Sequence, residues 1–134
     1  MNETASALAP GLVSAKRALA EGRHADAFAI AEGLLVAAPD DIDTLYVAAV
    51  AARFAAQHDA ASTHLSRLLA LAPEHGRAHQ EQGHLLRDSG DADGAIRAYA
   101  RACRFNPALE ASWKWQAELL AARGRPGEAA AAKA

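Results

Sequence analysis

Small residues and prolines recur along this 134-residue chain at one fixed interval. Pro39, Pro73 and Pro107 stand 34 residues apart, and so do Ala27, Ala61, Ala95 and Ala129. Gly90 and Gly124 repeat the step, and Gly22 lies two steps before Gly90. A unit of this length cannot bury its own apolar face, so the copies must stack and share a core. That requirement removes most folds from consideration.

The segment Gly76 to Pro107 is the clearest copy. It reads as two amphipathic helices joined at Gly90 and closed by Pro107. Glycine tolerates the left-handed conformation at a helix end. Proline cannot continue a helix's hydrogen-bond ladder. Spacings of three to four residues mark the other helices, as in Phe28, Ile30, Leu34 and Leu35, or Leu65, Leu68, Leu69 and Leu71. In the second copy Leu45, Tyr46, Val50 and Phe54 form the apolar stripe, after Asp40 and Asp41 as capping residues. The expected helices are 8–21 and 24–38, one opening at Asp40-Asp41, then 59–72, 74–89, 91–106 and 108–123. Residues 1–7 read as a small, polar leader. The turn at Gln57-His58-Asp59 lacks the glycine of its counterparts. The fourth copy ends in a second helix of about two turns, too short to be stable alone, as expected either of a chain cut from a longer protein or of a naturally short last repeat.

Hydrophobic residues make up 51% of the chain but aromatic ones only 5%, so alanine, leucine and valine supply the bulk. Alanine favours helix and lets helices approach closely, and no β-branched, aromatic run marks a strand. The expected class is all-α. A net charge of −2 argues against a nucleic-acid binder. Cys103 is the single cysteine, which excludes an internal disulfide and a cysteine-based zinc finger. No apolar run approaches the ~20 residues of a membrane span. The start of the chain lacks the basic and apolar regions of a signal peptide. The cytoplasm is the expected compartment.

Little here suggests chemistry. His75, His79 and His84 cluster with Glu81, but no HExxH pattern occurs and His79 falls at a bulky packing position. Cys103 aligns with Leu35 and Leu69, which makes it a packing residue. Neither a nucleophile–base pair nor a glycine-rich phosphate loop appears. The expectation is no enzyme, no metal and no cofactor.

The first helix of the third copy, its helix A, carries Gly83, and the second, its helix B, carries Ala95, Tyr99 and Ala102 before Pro107. The fourth has Trp113, Leu120, Gly124 and Ala129; the first two keep Ala27, Pro39, Leu45, Ala61, Leu65 and Pro73. With these residues the chain resembles the tetratricopeptide repeat family from about Leu8 to its end. Gly11 departs from the pattern, standing where a bulky residue belongs. The resemblance implies an α-solenoid of antiparallel helix pairs, about three and a half repeats in one domain over 1–134. The repeats are 8–41, 42–75, 76–109 and a partial 110–134. It also implies a scaffold that binds a peptide segment of another protein along a concave wall of helices A.

In the family, groove-facing residues recur at the second, fifth, ninth and twelfth places of helix A. Here these are Asp43, Tyr46, Val50 and Arg53, then Arg77, Gln80, His84 and Arg87. The last repeat offers Lys114 and Glu118, with Trp115 at the edge, and the first offers Lys16. Arg53, Arg77, Arg87 and Lys114 would make the groove basic, suited to an acidic peptide or a free C-terminus. Glu81, Asp88 and Glu118 lie nearby in sequence and compete for these cations. No Asn occurs on these helices A, unlike the family's clamp for chaperone tails. Two other readings stand beside this one. The chain could be the accessory N-terminal region of a larger bacterial enzyme, similar to those preceding sulfotransferase or hydroxylase domains. It could also self-assemble, as a homodimer, through apolar repeat ends.

Overall fold

The computed structural model describes residues 3–124, with side chains from residue 8 onward. Within that span lie seven α-helices and no strand. They are α1 (Glu3–Ala20), α2 (His24–Ala37), α3 (Ile42–Phe54), α4 (His58–Leu71), α5 (Gly76–Asp88), α6 (Ala92–Phe105) and α7 (Glu110–Ala122). The expected last helix, with Ala129, lies outside the described residues. Helix α1 starts at Glu3 rather than Leu8, with Pro10 inside it at the cost of one backbone donor.

The helices gather into two compact units, Met1–Pro73 and Glu74–Ala134. In the first, α1 packs on α2, α2 on α3 and α3 on α4, and α1 also meets α3. In the second, α5 packs on α6, α6 on α7, and α5 also meets α7.

The turn within each pair is closed the same way. The Arg23 N–H donates to the Ala18 carbonyl at 2.8 Å, and the Gly22 N–H to Leu19 at 3.0 Å. Asp91 and Gly90 repeat this with Leu86 and Arg87, at 2.9 and 3.0 Å. This double closure needs one residue in the left-handed region. Gly22 and Gly90 adopt it with φ of 78° and 89°. In the glycine-free turn Ala56 takes the same role at φ 61°, with Gln57 reaching Ala52 at 2.7 Å. The glycine's job is done there by a residue that carries a Cβ. Helix starts are served unevenly. The side chains of Asp41, His75 and Asp91 accept N–H bonds from Thr44, Ala78 and Gly94, whereas Arg23, Gln57 and Leu109 offer no such cap.

The 34-step alanines Ala27, Ala61 and Ala95 are fully buried. Each contributes roughly one buried carbon, on the order of 0.8 kcal/mol. Their larger effect is geometric, because small side chains let helix axes approach to about 8–10 Å. Larger side chains are then covered on both sides, among them Leu45, Leu65, Leu68 and Tyr99. Ala18, Ala27 and Ala51 form one such contact in the first unit, flanked by Leu19 and Phe28. Ala117 and Leu120 form another in the second, against Ile96.

Gly11 and Gly83 each receive the side chain of a residue on the neighbouring helix. A Cβ on Gly11 would stand 2.6 Å from Leu34 Cδ2, so α2 supplies the bulk that α1 lacks. A Cβ on Gly83 would stand 2.6 Å from Tyr99 Cε1. His79, at the bulky position of α5, is buried and stacks on Phe105 with centroids 5.4 Å apart.

Candidate functional site

In the second unit three helices meet at Arg87. Its guanidinium carbon lies 4.1 Å from the ring centroid of Trp115 on α7. Nη1 donates to the Tyr99 hydroxyl of α6 at 3.2 Å, and Nη2 to Asp88 at 3.1 Å. His84 Nδ1 is 2.6 Å from the same Tyr99 hydroxyl and 3.3 Å from Arg87 Nη1. A guanidinium can only donate, so the geometry fits an Nδ1 that carries a lone pair, with Tyr99 donating to it and accepting from Arg87. The guanidinium is thereby held in one orientation with a cation–π contact, a contact generally worth about 0.5–2 kcal/mol.

The other expected site residues of this unit are dispersed around that centre. Lys114 is exposed, with Nζ 5.6 Å from the Trp115 centroid. Arg77 is exposed and makes no ion pair among the described residues. Gln80 accepts from the hydroxyl of Ser112, itself fully buried, at 2.7 Å. His84 is buried, so its contribution runs through Tyr99 and Arg87. Glu118 is exposed and Glu81 is buried. Trp113 turns its indole N–H back onto the Pro107 carbonyl at 2.8 Å.

In the first unit Asp43, Tyr46 and Val50 border one cavity together with Lys16, Leu19 and Val47. Its volume is about 310 Å³. Arg53 lies elsewhere, its guanidinium carbon 4.4 Å from the ring centroid of Phe54. Phe54 is 51% exposed and stacks on His24 at 4.9 Å, with an interplanar angle of 24°. The sequence places Phe54 on the apolar stripe of α3 with Leu45, Tyr46 and Val50. It is the last residue of α3, and half of its surface stays open to solvent.

The remaining candidates for chemistry have structural duties. His75 caps α5 through Nδ1, at 3.1 Å from the Ala78 nitrogen, while His79 packs on Phe105. Among the described residues no three His, Cys, Asp or Glu gather as a metal-binding group. Cys103 is buried, 3.9 Å from Gln116 Oε1, and burial pushes its thiol up to about 11. No helix of the described residues is long and apolar enough to cross a membrane.

Solved structures share this architecture. The crystal structure of MamA, a tetratricopeptide-repeat protein, superposes with a TM-score of 0.83 over 92% of this chain and 72% of that one, at 21% identity. The chain has the tetratricopeptide-repeat fold. MamA from Desulfovibrio magneticus RS-1 gives a TM-score of 0.81 at 17% identity, over 92% of this chain and 70% of that one. An O-GlcNAc transferase of Thermobaculum terrenum, a mutant form, gives 0.82 at 22% identity. There the match takes in 90% of this chain but only 23% of the transferase. At these identities the likeness is one of fold. No protein-family model and no curated protein matches the sequence.

Within the tetratricopeptide-repeat register, sequence reasoning missed two participants. Tyr99 sits on a helix B, outside the groove positions, yet it ties His84 to Arg87. Its one available signal was the glycine at position 83, which needs something to fill its notch. The stack of His24 on Phe54 had no signal, because the two belong to different repeats and different registers.

Proposed function

We propose that the chain is a protein-interaction scaffold that holds a peptide segment of a partner, binding it without chemical change. In the second unit the ligand is a carboxylate-bearing segment, an acidic peptide or a free C-terminus, engaged by Arg77, Arg87 and Lys114. The observation that carries this reading is Arg87, fixed against Trp115 at 4.1 Å. A guanidinium already oriented loses less side-chain entropy when it pairs with a carboxylate. Gln80, Trp115 and Glu118 complete that patch, and His84 supports it from beneath, through Tyr99 and Arg87. In the first unit Asp43, Tyr46 and Val50 form the corresponding patch around their cavity, and Arg53, beside Phe54, extends it.

The test is a titration of a fluorescein-labelled peptide ending in three aspartates and a free carboxylate. Charge reversal at Arg77 and Arg87 together should weaken it roughly tenfold or more, since charged hydrogen bonds are worth about 1.5–3 kcal/mol each. Far-ultraviolet dichroism reports whether the variant keeps its helices, and Arg77→Glu with Lys114→Glu repeats the test on exposed residues alone. Unchanged affinity overturns the assignment. Raised salt should weaken the wild-type complex, because the attraction is screened.

The transferase likeness favours a second reading, an accessory repeat region of a larger bacterial enzyme, since the matched region is 23% of that chain. Sequencing the gene beyond the codon for Ala134 decides it. A catalytic domain there supports this reading, and a stop codon removes it.

A further inference from the structure

The cavity of the first unit has two electrical poles. Leu19, Tyr46, Val47 and Val50 give it an apolar lining, and Lys16 and Asp43 border it from α1 and α3. Both charged residues are exposed, and neither forms an ion pair with the other or with any described residue. Opposite charges that border one cavity without closing on each other leave a cationic pole on α1 and an anionic pole on α3. The place of Asp43 in the first turn of α3 has a local explanation, since carboxylates favour a helix's positive end. Lys16 has no such partner on its own helix.

Size limits the occupant. An apolar cavity of ~150 Å³ takes a benzene ring. At about 310 Å³, this one admits a leucine or phenylalanine side chain together with adjoining backbone. The charges then fall beside the residues that flank that side chain.

The geometry points to a charge-coded subsite. The cavity receives an apolar side chain of a bound peptide, with an acidic neighbour on Lys16 and a basic neighbour on Asp43. This rests on the peptide-scaffold reading and refines it, because it calls for a dipolar segment in the first unit where the second unit calls for a carboxylate.

Three labelled peptides test it, identical except for a central Glu-Leu-Lys, Lys-Leu-Lys or Glu-Leu-Glu. The wild-type chain should prefer Glu-Leu-Lys. Lys16→Glu makes both poles negative and should move the preference to Lys-Leu-Lys. Asp43→Lys makes both positive and should move it to Glu-Leu-Glu. Each step in preference should be roughly threefold to tenfold, the range expected for reversing one exposed charge contact. Serine in place of the central leucine should abolish binding of all three. Both substituted residues are exposed, so the variants should fold, and thermal melts verify that they do. An order of preference unmoved by either variant overturns the charge code, and binding indifferent to the leucine overturns the cavity as its seat. The aspartate-tailed peptide reads the second unit separately, so loss of one reading is distinguishable from loss of the other.

Discussion

The ring of Tyr99 fills the notch that Gly83 leaves on α5. A Cβ at residue 83 would approach Tyr99 Cε1, Cδ1 and Cγ to 2.6, 2.7 and 3.0 Å. Tyr99 is fully buried and its hydroxyl meets His84 and Arg87, so the ring has nowhere to retreat. Overpacking of this kind costs about 1–3 kcal/mol. Alanine gains up to ~1 kcal/mol over glycine inside a helix. The clash wins, and Gly83→Ala should lower stability by about 1–2 kcal/mol in urea unfolding. A stabilised variant would contradict the packing described.

Ala56 presents the opposite case. A left-handed conformation costs a non-glycine residue about 1–2 kcal/mol, and Ala56 holds φ 61° where Gly22 and Gly90 stand in the equivalent turns. Glycine would lose more chain entropy on folding, about 0.4–1 kcal/mol. Relief of strain is the larger quantity, so Ala56→Gly should raise stability by roughly 0.5–1 kcal/mol. A thermal melt checks the sign.

The next residue offers a cap. Gln57 and Asp91 begin their helices with similar backbones, φ −96° and ψ 69° against φ −90° and ψ 81°. Asp91 Oδ1 accepts from the Gly94 N–H at 2.8 Å, and Gln57 makes no equivalent bond. Gln57→Asp should therefore stabilise the first unit by about 1 kcal/mol. No shift in the urea midpoint would mean that the Asp91 geometry does not transfer.

Removing one oxygen should loosen the second unit. Tyr99→Phe keeps the ring in the Gly83 notch but deletes the hydroxyl reached by His84 and Arg87. Loss of a buried hydrogen-bonding group costs about 1–3 kcal/mol. A double-mutant cycle between Arg87→Gln and Trp115→Leu should return a coupling of about 0.5–2 kcal/mol. Additive effects would show that the contact contributes nothing.

Cys103 should be slow to react. Burial raises its pKa from 9.0 to about 11, so below pH 9 the folded chain has about one hundredth of the thiolate of an unfolded one. Alkylation by iodoacetamide at pH 8 should be slowed accordingly and recover in urea. The folded pKa is raised, so this residue's contribution to stability is fully present below pH 9.0 and is lost as pH climbs through about 11. Cys103→Ala should lack that portion of the alkaline loss.

The site was legible only in outline. Counting along helix A brought Asp43, Tyr46 and Val50 to one cavity, because residues at those spacings share a helix face. The same count placed His84 beside them in register, yet it is buried against a tyrosine from the following helix. Spacing along one helix does not tell which positions a neighbouring helix will cover.

The sequence by itself determined the helix pairs, their turns and their stacking class. Those follow from local constraints repeated every 34 residues: glycine where a turn needs φ above zero, proline where a helix must stop, alanine where backbones must approach. The tertiary structure alone decided which side chain fills each gap. Leu34 supplies the bulk missing at Gly11, Ala56 accepts a glycine's conformation, and Tyr99 gathers His84 and Arg87. Such contacts depend on side-chain directions across two helices, and a period along one chain does not encode them.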